Sequence, residues 1–273
     1  MMRSLFSAVA GLRTHQTRMD VIGDNIANVN TVGFKRSAVT FKDVFYQTLR
    51  GGSAGTGDIG GTNPQQVGLG VTLASIDVVH TQGAAQPTGN GTDLMIQGDG
   101  FFVVEDGSGN EYYTRAGAFH FAPDENDANN VYLVNPDGFY VVDENGYPIS
   151  IPTNALSYTI DRTGTVKYID PTNGQLTDAG TIKLAKFANP AGLEKVGSNL
   201  YVTSAAAGDV QEGTAGTGDF ANTIIIPSAL EMSNVELAQE FSDMIVTQRG
   251  FQANARVITA SDEMLQELVN LKR

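Results

Sequence analysis

Few residues of this chain have the types and spacing that chemistry requires. The three histidines, His15, His80 and His120, are scattered along the sequence, and each is expected to be hydrogen-bonded or solvent-exposed rather than part of a site. Asp124, Glu125 and Asp127 cluster as calcium ligands would. The glycine and distal glutamate of an EF-hand loop are missing, so a solvated acidic loop is expected there. Asp143 and Glu144 fall in a hairpin turn, where no apolar pocket would raise a carboxyl pKa for acid–base work. Gly55-Thr56-Gly57-Asp58-Ile59-Gly60 has the spacing of a dinucleotide-binding loop, but no strand precedes it and no helix follows. There is no P-loop lysine, nucleophile elbow or zincin helix. With no cysteine, thiolate metal sites and disulfides are excluded too. The residues therefore predict no catalytic site, no metal and no cofactor.

The elements that would position any site follow from composition. The chain has 273 residues and a net charge of −13, which argues against the basic face that nucleic-acid binding requires. No apolar run approaches the ~18 to 20 residues that span a bilayer, so no membrane insertion is expected. The opening MMRSLFSAVAGLRTH mimics a secretion signal, with Arg3 ahead of an apolar stretch and Ala8-Val9-Ala10 like a cleavage site. Ser7 breaks that stretch, which belongs instead to a longer helical pattern, so any export takes another route. Charge is uneven: +4 over residues 1–50, −14 over 51–230 and −3 over 231–273, so the two ends attract. All nine prolines lie between Pro64 and Pro227, leaving both ends free to form long helices.

Between those ends the sequence reads as β. LMIQGDGFFVV, YYTRAGAFHF, VYLVNPDGFYVVDENGYPISI, YTIDRTGTVKYI, TIKLAKF and NLYVT are short runs of β-branched and aromatic residues punctuated by Gly-Asp-Gly, Pro-Asp-Gly, Asn-Gly and Arg-Thr-Gly turns. Only residues 191–196 suggest a helical turn inside this body. Residues 51–66, glycine-rich and almost without apolar side chains, read as a flexible connector or extended arm.

The ends carry a different period. Leu5, Val9, Leu12, Gln16, Met19, Gly23 and Ile26 step by four and three, as do Leu237, Phe241, Met244, Gln248, Phe251, Ala255, Ile258, Asp262, Leu265 and Val269. Steps averaging 3.5 draw one line along a helix, a coiled-coil seam. The second helix is predicted from Ser233 to Leu271, about 58 Å at 1.5 Å per residue. Ser233 or Asn234 would cap it, with Glu236 and Glu240 near its start and Lys272 and Arg273 at its end to suit the dipole. Gln16, Gln248 and Asp262 interrupt the seams and are expected to fix register. Val235, Ile245, Val246, Val257, Met264, Leu268 and Leu271 widen the apolar surface beyond what one partner helix covers, as in an assembly of many subunits.

Five segments, in order and spanning essentially the whole chain, carry a specific resemblance. They are GDNIANVNTVGFK, DLMIQGDGFFVV, YTRAGAF, FANPAGLEKVGSNLY and the closing QRGFQANARVITASDEMLQELVNLKR. Together they resemble the bacterial flagellar rod and hook protein family. One departure is that Asp24 stands where the family often has Asn. The family motif falls on Asn28, Thr31, Gly33, Phe34 and Lys35. The resemblance implies an α+β chain in which N- and C-terminal helices (1–30 and 233–273) pair as a coiled coil, with a connecting segment and arm (31–75) and a hairpin-rich all-β outer domain (76–232). It implies an inner subunit interface through Leu5, Val9, Leu12, Met19, Ile26, Leu237, Phe241, Met244, Phe251, Ile258, Leu265 and Val269. The closing segment and the length point to the hook branch, a helical homopolymer acting as a flexible joint between rod and filament, with the distal rod as alternative. Implied partners are other copies of the chain, rod and hook–filament junction proteins, the hook cap and the type III export apparatus. Secretion would be of the unfolded chain to the extracellular hook. Phe41 and Phe45 are similar to the family's export-gate motif; their spacing equally suits two core aromatics on one helical face.

Overall fold

The structure, a computed structural model, describes residues 2–55, 60–124, 129–171 and 174–271. Most of the Gly55–Gly60 loop, the acidic residues Glu125 and Asp127, and the terminal Lys272 and Arg273 lie outside the described residues. The fold is α+β, and contacts divide it into two compact units. One comprises Met1–Ala27, Ser37–Val78 and Glu236–Arg273; the other comprises Asn28–Arg36 and Val79–Val235.

In the first unit, helix α1 (Met2–Ala27) lies against helix α2 (Leu237–Leu271). The second helix starts later than its apolar pattern suggests. Asn234 does not cap it, because its side chain accepts from the Arg36 amide at 2.8 Å and donates to the Val79 carbonyl at 2.7 Å. The segment after α1, read from sequence as a connecting segment and extended arm, forms a ribbon. Strand β1 (Ser37–Asp43) continues almost directly into β2 (Tyr46–Arg50); β3 (Gln65–Gly68) returns against β2, and β4 (Val71–Val78) against β1. Ser53 and Thr62 bridge beyond β2 and β3, so the described residues on either side of the glycine-rich stretch continue this hairpin. The ribbon packs on α1 through Phe41, whose ring meets His15 edge-on at 5.6 Å and lies 5.9 Å from the Arg18 guanidinium.

The line along which the two helices meet runs one residue ahead of the predicted seams. On α1 the buried positions are Ala8, Gly11, Thr14, Ile22 and Asn25; on α2 they are Glu240, Thr247 and Ser261. These residues are mostly small, and two glycines make room for side chains of the other helix: a Cβ on Gly11 would lie 2.7 Å from the Asn254 side-chain nitrogen, and one on Gly250 would lie 2.7 Å from the His15 ring. The hydroxyls in the seam need no partner across it, since Thr14, Thr247 and Ser261 each donate to a carbonyl of their own helix. Polar contacts mark one end of the line, Asn25 Nδ2 donating to Glu240 Oε2 at 3.3 Å and Arg18 pairing with Asp243 at 3.2 Å.

The second unit is built on a ten-stranded antiparallel sheet. Its central strand, Phe101–Glu105, is buried on both faces, which is why its sequence is a continuous apolar run. Phe102 and Val104 enter a core with Leu94, Ile96, Phe119, Leu133, Ile149, Ile182, Leu184 and Ile225. Phe101 and Val103 face a smaller cluster with Tyr113, Phe187 and Tyr201. A three-stranded sheet, 158–181, adjoins the larger core through Ile160 and Val166. The helical turn suggested at 191–196 is a single 3-10 turn at Pro190–Gly192, after which the chain returns to strand at Glu194–Gly197.

Candidate functional site

Residues 28–36, immediately after α1, are held by the β unit from several sides. Thr31 donates its hydroxyl to Asn28 Oδ1 at 3.0 Å, closing a turn. Gly33 then adopts φ +70°, and its amide donates to the Glu231 carbonyl at 2.8 Å. A Cβ at this position would lie 2.6 Å from the Ala116 nitrogen, so both the dihedral and the space require glycine. Phe34 is buried, with the Lys195 ammonium 4.6 Å from its ring centroid. Lys195 also donates to the Lys35 carbonyl at 3.0 Å, and Asn199 Nδ2 donates to the Val32 carbonyl at 3.1 Å.

Lys35 is the centre of this clasp. Its side chain is fully buried and donates to Glu231 Oε1 at 2.6 Å and to the Thr81 carbonyl at 2.7 Å. The Glu231 carboxylate, equally buried, also accepts from the Gly83 amide at 2.8 Å and from Arg115 Nη1 at 3.4 Å. Arg115 Nη2 donates to the Gly98 carbonyl at 2.9 Å. Glu231 is placed by the pairing of Ala229–Glu231 with Ala85–Pro87, and Arg115 by the turn after the strand Glu111–Thr114. Two cations thus share one buried carboxylate. Burial lowers the Lys35 pKa despite the raising effect of Glu231, and lowers that of Arg115 for the same reason. Such a cluster is held tightly because losing one partner strands a charge away from water.

His80 lies beside the cluster, packed against Phe101 and Tyr201. Neither ring nitrogen has a hydrogen-bond partner of good geometry among the described residues, and the Pro190 backbone supplies a weak one. Burial, reinforced by Lys35, Arg115 and Lys195 against a weaker pull from the Pro190 backbone, brings its pKa down to about 4. His15 departs from expectation: its Nδ1 is buried without a partner among the described residues, and burial and Arg18 lower its pKa. His120 is exposed.

The predicted seam residues face outward to varying degrees. Leu5, Leu12, Met19, Ile26, Met244, Ile258 and Leu265 are half-buried. Val9, Leu237, Phe241, Phe251 and Val269 are exposed, Val269 to 67%. Phe6, Ile245, Val246, Val257, Met264, Leu268 and Leu271 join them, so a large apolar surface remains open on the helix pair. Gln16, Gln248 and Asp262 are exposed within it. Phe41 and Phe45 do not share a helical face: Phe41 is half-buried in β1, and Phe45, between β1 and β2, is 83% exposed. Their β-branched surroundings, Val39, Thr40 and Val44, favour extended backbone over helix.

Sequence reasoning identified the motif but not what grips it. Arg115, Glu231, Thr81 and Asn234 carry the clasp. Arg115 falls within the YTRAGAF segment without its partner being signalled, and Glu231 stands out only as a charge between Leu230 and Met232.

Paired terminal helices that leave a large apolar surface open, with a many-stranded β unit between them in sequence, define an α+β chain. Three family profiles match it: "Flagella basal body rod protein" over residues 5–35, "Flagellar hook protein FlgE/F/G D1 domain" over 95–168, and "Flagellar basal body rod FlgEFG protein C-terminal" over 226–271. The chain is 50% identical to the flagellar basal-body rod protein FlgG of Bacillus subtilis, covering all of both chains. It is 38% identical to the rod protein FlgG of Agrobacterium fabrum, over 96% of this chain and 97% of that one. It is 32% identical to the flagellar hook protein FlgE of Borreliella burgdorferi, again covering both chains fully. The chain belongs to the flagellar hook and rod family, and its place is as a structural component of the flagellum.

Proposed function

We propose that this chain is a subunit of the distal flagellar rod that assembles into a helical homopolymer and has no enzymatic activity. The observation that carries this reading is the likeness to the Bacillus subtilis rod protein, 50% over an alignment of 277 residues. The hook relative aligns at 32% over 448 residues and so contains long segments that this chain lacks. The preference moves accordingly from the hook, which the closing segment suggested, to the rod. The hook stays as the second reading, favoured by the full-length hook likeness and the wording of LVNLKR.

In either setting the helix pair forms an inner coiled-coil layer, and the outward apolar residues from Leu5 to Ile26 and from Leu237 to Val269 pack on neighbouring copies. A continuous packed layer of this kind resists twist and carries torque. Gln16, Gln248 and Asp262, exposed on this surface, set the register between copies. The chain leaves the cell unfolded through the type III apparatus, with Phe41 and Phe45 as the export signal, and meets other rod and hook proteins at the ends of its segment. As a rod subunit it lies within the cell envelope; as a hook subunit, outside it and beneath the hook cap. Deleting the gene separates the two: basal bodies that stop at the proximal rod support the rod assignment, and complete rods without hooks support the hook.

A further inference from the structure

We propose that the cavity beside the buried ion cluster is a binding site for a carboxylate group. The cavity, about 240 Å³, is lined by His80, Phe101, Arg115, Lys186, Phe187 and the largely exposed Asp99. That is ample for a carboxylate and its aliphatic stem, since a single water needs only ~10 to 15 Å³ by the same kind of measure.

Three observations on independent groups point to an anion. Arg115 is 4% exposed, and its Nε–H, unlike its two Nη groups, has no partner among the described residues. Both nitrogens of His80, on the same cavity, are also buried, with no hydrogen bond of good geometry among the described residues and only a weak pull from the Pro190 backbone. Charge is in surplus: Lys35, Arg115, Lys186 and Lys195 gather here against Glu231 and Asp99, and the Lys186–Asp99 contact is long at 3.8 Å. Glu231 is already committed to Lys35, Arg115 and the Gly83 amide. A carboxylate has two acceptor oxygens and would use the free guanidinium donor and the imidazole together, with Lys186 adding charge at the mouth. The source is a free carboxylate in the medium or an acidic side chain of a second copy, whose residues 51–230 carry −14.

The test follows His80 by NMR in the full-length monomer, titrating sodium acetate against sodium chloride at constant ionic strength. A saturable response to acetate, a His80 pKa rising from about 4, and an affinity roughly tenfold weaker in Lys186→Gln are the expected results. A response that is linear and equal for both salts overturns the proposal, as does a saturable one that Lys186→Gln leaves unchanged. The same signals in assembled protein washed free of acetate then identify the source. A pKa already raised assigns the carboxylate to a neighbouring copy, and one near 4 that rises on adding acetate assigns it to a free anion. A His80 that stays near 4 under both conditions overturns the site.

Discussion

Lys35 illustrates how far single residues could be read. Its place in the motif was legible, but its counter-ion Glu231 is 196 positions away and the second cation, Arg115, lies 116 positions from Glu231. No local pattern encodes such a pairing; it exists only once the strands that carry the charges have been placed. Gly33 was legible as a motif residue, and its reason is now physical. Gly33→Ala would put a Cβ 2.6 Å from the Ala116 nitrogen at φ +70°, and we expect a loss of about 3 kcal/mol in chemical denaturation of the β unit. His80 gives the second residue-scale prediction. Its pKa is held near 4 in the folded protein against about 6.5 unfolded, so below pH 6.5 the unfolded chain binds the additional proton. Stability therefore falls as pH drops from about 6.5 to 4, by about 3 kcal/mol, and levels off below. The difference between wild type and His80→Gln, measured in chloride buffers, isolates this slope from the carboxylates that titrate nearby.

At the scale of elements, strands marked by turn chemistry were legible, because Pro-Asp-Gly and Asn-Gly act locally. The ribbon was not. Its strands β1 and β4 lie on either side of a long glycine-rich excursion, and the four-residue spacing of Phe41 and Phe45 imitates a helical face. The helices were legible as helices, yet their mutual contact was displaced by one residue. Apolar periodicity marks where large side chains seek cover, whereas the most buried positions of the pair include a line of Gly, Ala, Ser and Thr that such a count passes over. That displacement is testable. Gly11→Leu and Gly250→Leu force side chains into Asn254 and His15, and each is expected to lower monomer stability by about 1 to 3 kcal/mol in thermal unfolding followed by circular dichroism. Phe241→Ala, on the predicted seam but 49% exposed, is expected to change it by less than about 0.5 kcal/mol. Equal effects at both kinds of position would mean that the small-residue line is not where the helices meet.

The whole molecule turns on what the helix pair leaves open. If the exposed apolar side chains of α1 and α2 had no partner in any state, their replacement would be neutral everywhere. If neighbouring copies cover them, the same replacement is silent in dilute solution and costly in the assembly. Phe241, Val269 and Leu271 are the most informative positions, since each is large and exposed, Leu271 to 82%. Burying one such side chain contributes about 1.5 to 3 kcal/mol, and a carboxylate in its place adds a desolvation cost. Phe241→Asp and Val269→Asp are therefore expected to raise the critical concentration for assembly at least about tenfold, measured by sedimentation, while leaving the monomer's unfolding curve in place. The contrast with Gly11→Leu is decisive, because that change acts first on the monomer. Should Phe241→Asp assemble as readily as wild type, the open face would have no partner among copies of this chain, and the helical homopolymer would have to form through the β units instead.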